Sequence, residues 1–161
     1  MRFDLGRCLV FLGLFACPWK VGVAQVVRTA QIHVMATIAD PSLVAGGLGI
    51  AVRPGGRFQL SATGSFGTRG KAAAFRGELL ASFHLSPLGH RGLAPYAGGG
   101  AAILTQPGTA GVGRPETYLA VLVGVETTPA SRVGWFAEVG IGGGARLVVG
   151  ARWRAVRNRM P

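Results

Sequence analysis

The feature that most constrains this chain is a strict alternation of apolar and polar side chains near its C-terminus, in residues 131–157. Apolar side chains occupy every second position in two segments: Trp135, Ala137, Val139 and Ile141, then Leu147, Val149, Ala151 and Trp153. The positions between them include a glutamate and three arginines. A period of two residues predicts β-strands, and the glycine triplet at 142–144 predicts the turn of an antiparallel hairpin. One face of this hairpin is therefore apolar and the other is ionic.

The same alternation recurs from residue 27 onward, in segments separated by turns rich in Gly, Pro, Asp and Ser. Six further strands are predicted before the hairpin: residues 27–39, 43–52, 57–66, 72–85, 93–104 and 116–127. Residues 105–115 are predicted to form the longest loop. In the fifth strand Gly and Ala occupy both faces, and we assign Tyr96 there to the apolar face. The chain is thus expected to contain eight strands.

The composition favours a membrane barrel over a soluble one. Of the 161 residues, 49% are hydrophobic and only 14% are charged, and the mean hydropathy is +0.40. Beyond the N-terminal segment no apolar run approaches the roughly 18 residues of a membrane-spanning helix, and lipid otherwise admits only a closed sheet. We therefore predict an all-β fold, an eight-stranded antiparallel up-and-down transmembrane β-barrel with its apolar face toward lipid and its ions in the lumen.

The alternative is a soluble periplasmic binding barrel of lipocalin type, with the opposite orientation. Its interior would be lined by Leu, Val and Phe, and the arginines and glutamates would face water. A charged fraction of 14% is low for such an outer surface, so the membrane orientation is preferred.

The N-terminus has the three parts of a secretory signal peptide. Arg2 and Arg7 form a basic start, residues 8–17 an apolar core, and Gly-Val-Ala at 22–24 a small-residue cleavage site. The predicted organisation is a signal peptide at 1–24, a barrel domain at 25–157 and a C-terminal tail at 158–161. In an alternative interpretation residues 14–17 form a lipoprotein signal, and Cys17 is lipidated.

The charge and the cysteines exclude several function classes. Both cysteines, Cys8 and Cys17, lie within the predicted signal peptide, so the mature chain would have no disulfide, thiol nucleophile or cysteine metal site. The net charge of +11 is of the kind that nucleic-acid-binding proteins carry. Export would separate this chain from nucleic acid, however, and its arginines are spread singly along strands. We therefore expect no nucleic-acid partner.

Two sets of side chains are sorted as a membrane barrel requires. If the first strand rises from the periplasm, outward aromatic side chains form one girdle at the periplasmic rim and another at the outer rim. These girdles are Phe58, Phe83, Trp135 and Trp153, and Phe66 and Phe75, respectively. All four glutamates after the signal peptide, including Glu116, fall on the inward face, as does Arg154. The lumen network is predicted to contain Arg57, Arg76, Glu78, Glu126, Glu138, Arg146 and Arg152.

Three segments resemble the small eight-stranded outer-membrane β-barrel family, which comprises porin-like and OmpA- or OmpX-like domains. They are Pro-Tyr-Ala-Gly-Gly-Gly at 95–100, Gly-Trp-Phe-Ala-Glu-Val-Gly at 134–140 and Gly-Ala-Arg-Trp-Arg at 150–154. The resemblance covers the whole predicted mature chain. It implies the outer membrane of a Gram-negative-type, diderm bacterium, insertion by the barrel-assembly machinery, and outer-membrane lipid and lipopolysaccharide as partners.

A barrel of eight strands encloses room for side chains and little more, so no wide pore is expected. We expect a plugged polar lumen with a structural or envelope-integrity role, no enzymatic activity and no cofactor, and rank a gated ion path second. His33, His84 and His90 lack the spacing of a metal site. The basic loop residues Arg69, Lys71 and Arg114 suit the phosphates of lipopolysaccharide.

One enzymatic alternative rests on His84-Leu85-Ser86, which is similar to the His and Ser pair of lipid A deacylases of this barrel size. A catalytic serine needs a base within hydrogen-bond reach and a third group that orients the base. The alternation places His84 inward near the periplasmic rim, away from lipid of the outer leaflet. A histidine that lines the lumen is the preferred interpretation.

Overall fold

The structure of the protein is a computed structural model. It describes residues 27–54, 56–86, 92–108, 111–112, 115–127, 129 and 131–155. The predicted signal peptide with Cys8 and Cys17, the residues His90 and Arg114, and the predicted tail at 158–161 lie outside the described residues.

The described residues form ten strands, eight of which make a closed barrel. The strands are β1 (Val27–Ile38), β2 (Leu43–Arg53), β3 (Phe58–Arg69), β4 (Ala72–His84), β5 (Leu93–Thr105), β6 (Pro107–Gly108), β7 (Gly111–Val112), β8 (Glu116–Thr127), β9 (Val133–Ile141) and β10 (Ala145–Ala155). In the barrel each of β1–β5 and β8–β10 is antiparallel to its neighbours, and β1 closes the sheet against β10. The predicted eight-stranded antiparallel up-and-down barrel is confirmed.

The predicted loop at 105–115 differs from the structure, because it contains the separate two-residue hairpin of β6 and β7. The third strand also runs past its predicted end, to Arg69, and the turn into β4 is Gly70-Lys71. The predicted hairpin turn at 142–144 is present, and Gly143 adopts a φ of 73° there. Glycine tolerates this left-handed backbone region, which other residues rarely adopt.

Strand direction gives the barrel two rims. At one rim, which we call the terminal rim, β1 begins and β10 ends. This rim also carries the β2–β3, β4–β5 and β8–β9 connections. The loop rim carries the β1–β2, β3–β4, β5–β8 and β9–β10 connections. The described residues contain no helix long and apolar enough to span a membrane.

The outer surface is apolar and the charged side chains point inward. Val121, Val123 and Leu147 are 45%, 55% and 50% exposed, whereas Glu138 and Arg152 are 6% and 2% exposed. A lipocalin-type barrel requires the reverse. The predicted position of Tyr96 is wrong, because its side chain is buried in the interior and does not lie on the apolar outer face.

All six predicted girdle aromatics are exposed on the outer face. Phe58 lies opposite Phe83 beside the terminal rim, with their ring centres 5.5 Å apart, and Trp135 and Trp153 lie toward the same rim. Phe66 lies opposite Phe75 toward the loop rim. The register therefore sorts the aromatic side chains into two bands at different heights.

The interior also contains apolar side chains. One buried cluster comprises Met35, Leu43, Ala45, Ala74, Leu104, Phe136 and Val148. A second comprises Leu80, Tyr96, Ala102, Ala120 and Leu122. In the first cluster Leu43 begins β2, Ala74 follows the start of β4 and Leu104 precedes the end of β5, so this part of the interior lies next to the loop rim.

Candidate functional site

The candidate site is the group of charged side chains in the lumen. The inward positions of β2, β4, β8, β9 and β10 bring eight buried charged residues toward the barrel axis: Arg53, Arg76, Glu78, Glu126, Glu138, Arg146, Arg152 and Arg154. None is more than 7% exposed. Five arginines face three glutamates, so the described lumen carries two excess positive charges when its histidines are neutral.

Inward glycines make room for the larger side chains of the lumen. A Cβ added at Gly47 would lie 2.7 Å from His33 Nε2 and 2.5 Å from Ser65 Oγ. One at Gly124 would lie 2.6 Å from the Tyr96 ring. Since such approaches are closer than van der Waals contact permits, these glycines are required by the side chains that lie over them.

Glu126 of β8 is the centre of the ionic cluster nearest the terminal rim. Its Oε2 accepts hydrogen bonds from Arg154 Nη2 at 2.8 Å and Arg152 Nη1 at 3.1 Å. Its Oε1 lies 3.2 Å from both Arg53 Nη2 and His84 Nδ1. Glu126 is fully buried. One carboxylate therefore joins β8 to β2, β4 and β10.

Glu138 of β9 carries the network toward the middle of the barrel. Its Oε1 accepts a hydrogen bond from the Tyr96 hydroxyl at 2.8 Å and one from Arg152 Nη2 at 3.2 Å. Its Oε2 accepts a hydrogen bond from Arg146 Nη2 at 3.2 Å. The same Nη2 also donates to Glu78 Oε2 at 2.9 Å, so Arg146 bridges β9 and β4.

Glu78 of β4 ends the chain of ion pairs. Its Oε1 accepts a hydrogen bond from Arg76 Nε at 2.8 Å, and both side chains are buried. Beside this pair, His33 Nε2 lies 2.8 Å from Ser65 Oγ. A cavity of about 10 Å³, lined by residues that include His33, Thr63 and Arg146, lies next to them. This volume is near the minimum that holds one water molecule.

Arg152 is bonded to side chains of several strands among the described residues. Besides its two glutamate partners, its Nε donates to Gln31 Oε1 at 3.0 Å and its Nη2 to the Tyr96 hydroxyl at 3.2 Å. Its guanidinium carbon lies 4.0 Å from the centre of the Phe136 ring, within the range of a cation–π contact. A planar guanidinium has five donors in a fixed fork, which suits it to this position better than lysine.

The hydrogen bonds form one connected network that reaches every strand of the barrel. Arg152 reaches β1 through Gln31, and Arg53 of β2 reaches β3 through Gln59 at 3.0 Å. Tyr96 contributes β5, and the three glutamates contribute β4, β8 and β9. The lumen is therefore crossed by side chains that are bonded to one another.

Six of the seven predicted lumen residues lie in this network: Arg76, Glu78, Glu126, Glu138, Arg146 and Arg152. Arg57 does not. It is exposed in the turn before β3, where the strand alternation no longer applies, and its guanidinium carbon lies 5.9 Å from the centre of the outward Phe83 ring. Glu116 also differs from the prediction, because it begins β8 at the loop rim and is exposed to solvent there.

Two members of the network were not assigned to the lumen face from the sequence. The predicted second strand stops before Arg53, whereas β2 includes it and turns its side chain inward. Tyr96 was expected on the opposite face, yet it stacks on His84 with ring centres 4.7 Å apart. The sequence contained a signal for Arg53, because this residue falls on the same alternate positions of β2 as the inward Ala45 and Ala51.

The residues considered for catalysis and those considered for lipopolysaccharide contact lie at different rims of the barrel. His84 is fully buried and its Nε2 lies 3.3 Å from Ser82 Oγ, while Ser86 is exposed beyond the end of β4. Arg69 donates two hydrogen bonds of 2.9 Å to Glu116, which also accepts one from Tyr118. Lys71 is exposed in the β3–β4 turn. Within the described residues no group of three or more His, Cys, Asp or Glu is arranged to hold a metal ion.

The arrangement is suited to holding strands together and to blocking the lumen. Each of the three glutamates contacts at least two cationic or hydroxyl donors. Buried charges that are paired and hydrogen-bonded in this way avoid the large cost of isolated charges. The paired side chains also occupy the interior of the barrel.

Comparison with known proteins supports the fold. No protein-family model and no curated protein sequence matches the chain significantly. Among solved structures, the N-terminal β-barrel domain of Pseudomonas aeruginosa OprF superposes with a TM-score of 0.61 and 16% identity, over 79% of this chain and 97% of that one. Neisserial surface protein A superposes with a TM-score of 0.59 and 12% identity, over 80% and 96%. The chain has the fold of the small eight-stranded outer-membrane β-barrels.

Proposed function

We propose that this chain is a small outer-membrane protein of a Gram-negative-type, diderm bacterium, with a structural role in envelope integrity and a plugged, non-conducting lumen. It acts without enzymatic activity or a cofactor. The observation that carries the proposal is the single hydrogen-bonded network that links all eight barrel strands across the lumen. The fold shared with outer-membrane barrels supports the location.

The outer surface supports insertion into lipid. The exposed large hydrophobic side chains on the strands are Val, Leu, Ile, Phe and Trp, and the exposed charged residues of these strands, Arg28 and Glu116, lie at strand ends. Water would not favour such a continuous apolar surface on a monomer, whereas the hydrocarbon of a bilayer would. With the terminal rim in the periplasm, the loop rim faces the outside. Outer-membrane lipid then surrounds the barrel, and the barrel-assembly machinery inserts it.

The location is tested by fractionation of cells that express the full chain. We expect the protein in the outer-membrane fraction, and we expect its mobility on a denaturing gel to change on boiling, as compact β-barrels show. Recovery in the soluble periplasmic fraction without detergent would contradict the proposal.

The plugged lumen is tested by conductance across planar bilayers. We expect no stable conductance steps from the wild-type protein or from Glu138→Gln, because Glu78 and Glu126 keep their own arginine partners in that variant. Steps that appear in Glu138→Gln alone would favour a gated ion path. Both proteins are first shown to be folded by the heat-modifiability gel.

The loop rim is the proposed contact with lipopolysaccharide. Lys71 is exposed there, whereas the charge of Arg69 is balanced by Glu116. We therefore expect Lys71→Gln to weaken salt-sensitive binding to lipopolysaccharide more than Arg69→Gln does. Equal binding by the two variants and the wild type would exclude this contact.

A further inference from the structure

We propose that the outer face of the barrel holds one anionic phospholipid, with an acyl chain in a groove across β4, β5, β8 and β9 and its phosphate on Arg57. The inference rests on the proposed insertion into a membrane. It concerns the outer face near the terminal rim, away from both the ionic lumen and the proposed lipopolysaccharide contact at the loop rim.

The groove has a volume of about 470 Å³, and its lining is almost entirely apolar. In the order of the strands around the barrel, its lining includes Phe83 and Leu85, then Ala97 of β5, Val123 and Val125 of β8, and Ala137 and Val139 of β9. A volume of this size is within the range of pockets that enclose small ligands.

The groove exists because small residues occupy outward positions on β5 and β9, the two strands that flank β8. Ala97 of β5 lies opposite Phe83 on one side and Val123 on the other. Ala137 of β9 lies opposite Val125. Methyl groups between larger neighbours leave a depression in the lipid-facing surface, and flexible hydrocarbon is the chemistry that fills such a depression in a membrane.

A cation stands at the rim end of the groove. Arg57 is exposed, and its guanidinium carbon lies 5.9 Å from the centre of the Phe83 ring, which is itself part of the groove wall. Arg132, also exposed, precedes β9 at the same rim. A guanidinium beside an interfacial aromatic ring is placed to bind the phosphate of a lipid whose chain lies below it.

The charges of the two rims favour an anionic lipid at this one. Among the described residues, the exposed charged side chains at the terminal rim are Arg28, Arg57 and Arg132. The exposed acidic residues that the structure describes, Asp40 and Glu116, lie at the loop rim instead. The described part of the terminal rim thus offers exposed cations without an exposed carboxylate. These cations attract a headgroup of net negative charge.

A second copy of the chain fits the groove less well. A twofold symmetric contact on this face would bring the Arg57 side chains of both copies to the same rim of one interface. Like charges there would repel one another, whereas a phospholipid supplies the opposite charge.

The test measures lipid retained by the full chain, folded in detergent micelles, using native mass spectrometry with dipalmitoyl phosphatidylglycerol and dipalmitoyl phosphatidylcholine. We expect one phosphatidylglycerol molecule per barrel, retained in preference to phosphatidylcholine. Arg57→Gln is expected to reduce retention of phosphatidylglycerol about fivefold, since one arginine near an anionic lipid contributes about 1 kcal/mol. Ala97→Leu, which fills the groove, is expected to reduce retention of both lipids.

Two matched variants control for general effects. Arg28→Gln removes another exposed arginine of the terminal rim, and Ala30→Leu enlarges another exposed alanine of the outer face. Both are expected to retain the lipid as the wild type does. Equal loss in the test and control variants, or equal retention of the two lipids by the wild type, would overturn the proposal.

The remaining outcomes are also decisive. Dimers in analytical ultracentrifugation that Ala97→Leu abolishes would assign the groove to a second copy and overturn the lipid site. The experiment uses a barrel already folded in detergent, so a failure of lipid retention leaves the fractionation result intact. A soluble periplasmic location would instead contradict the proposed function, whatever the lipid measurement shows.

Discussion

The two ends of the lumen are filled by different chemistry. Toward the terminal rim, Glu126 is surrounded by Arg53, Arg152 and Arg154. Toward the loop rim, apolar side chains such as Leu43 and Leu104 pack beside the ion pairs that Glu78 makes with Arg76 and Arg146. Ion pairs are directional and join specified strands, whereas apolar contacts depend mainly on filled volume. The interior is therefore joined mainly by ion pairs near the terminal rim, whereas near the loop rim ion pairs and apolar packing occur together.

The largest expected loss of stability follows a substitution of Glu126, near the terminal rim. Glu126→Gln removes the buried negative charge that Arg53, Arg152 and Arg154 share, while Arg152 keeps its ion pair with Glu138. Breaking a buried ion pair on one side costs about 3 to 5 kcal/mol, and we expect a loss of this size in the free energy of unfolding. The measurement is urea unfolding in lipid vesicles, followed by tryptophan fluorescence.

A double variant sharpens this result. Glu126→Gln with Arg154→Gln is expected to be more stable than Glu126→Gln alone, because one uncompensated charge has been removed. If the losses in unfolding free energy from the two substitutions simply add, Glu126 and Arg154 are not energetically coupled.

The matching substitution toward the loop rim is Leu104→Ala. Leu104 is 4% exposed and lies in the cluster with Met35 and Leu43. A buried Leu→Ala change costs about 2 to 5 kcal/mol, from lost apolar contact and the cavity that remains. The same unfolding experiment measures it, and Leu104→Met, which conserves volume, is expected to cost less than about 1.5 kcal/mol. Equal losses from both variants would mean that this end depends on more than filled volume.

Much of this organisation could be predicted from the sequence, because side chains alternate across a strand with a period of two. Where apolar and polar residues differ strongly, as in β1 and β10, the facing followed directly. In β5 the neighbours of Tyr96 are Pro, Ala and Gly, which give no contrast between the faces. The wrong assignment of Tyr96 therefore reflects missing contrast, since nothing local marks its bond to Glu138.

The pairing of charges could not be predicted, because it depends on which strands face one another across the lumen. Arg53 and Glu126 are 73 positions apart, and only closure of the barrel brings them together. Arg57 shows the converse limit, since it continues the alternation of the third strand but lies just before that strand begins at Phe58. Alternation predicts the face of the sheet on which a side chain lies, whereas strand register and strand ends determine which side chains it contacts.

The outer face extends the comparison, because a charge tolerated inside should be costly there. Val34 lies midway along β1 and is 57% exposed on the apolar surface. Val34→Arg is expected to cost about 2 to 4 kcal/mol in vesicles, the range for arginine at the bilayer midplane. Ile38→Arg, at the loop end of the same strand, is expected to cost at most about 1 kcal/mol. Equal costs at the two depths would contradict a membrane-spanning orientation.

The smallest effect is expected where an ion pair lies outside the lumen. Arg69 and Glu116 form a 2.9 Å pair at the loop rim, with 14% and 48% of their side chains exposed. Exposed pairs contribute about 0 to 1 kcal/mol and are screened by salt, so Arg69→Gln should lower unfolding free energy by at most that amount, and less in high salt. Glu126→Gln should lose similar stability at both salt concentrations, because its partners are buried. A strong salt dependence in Glu126→Gln would mean that water and ions enter the terminal half of the lumen, and the two ends would then differ in hydration as well as in chemistry.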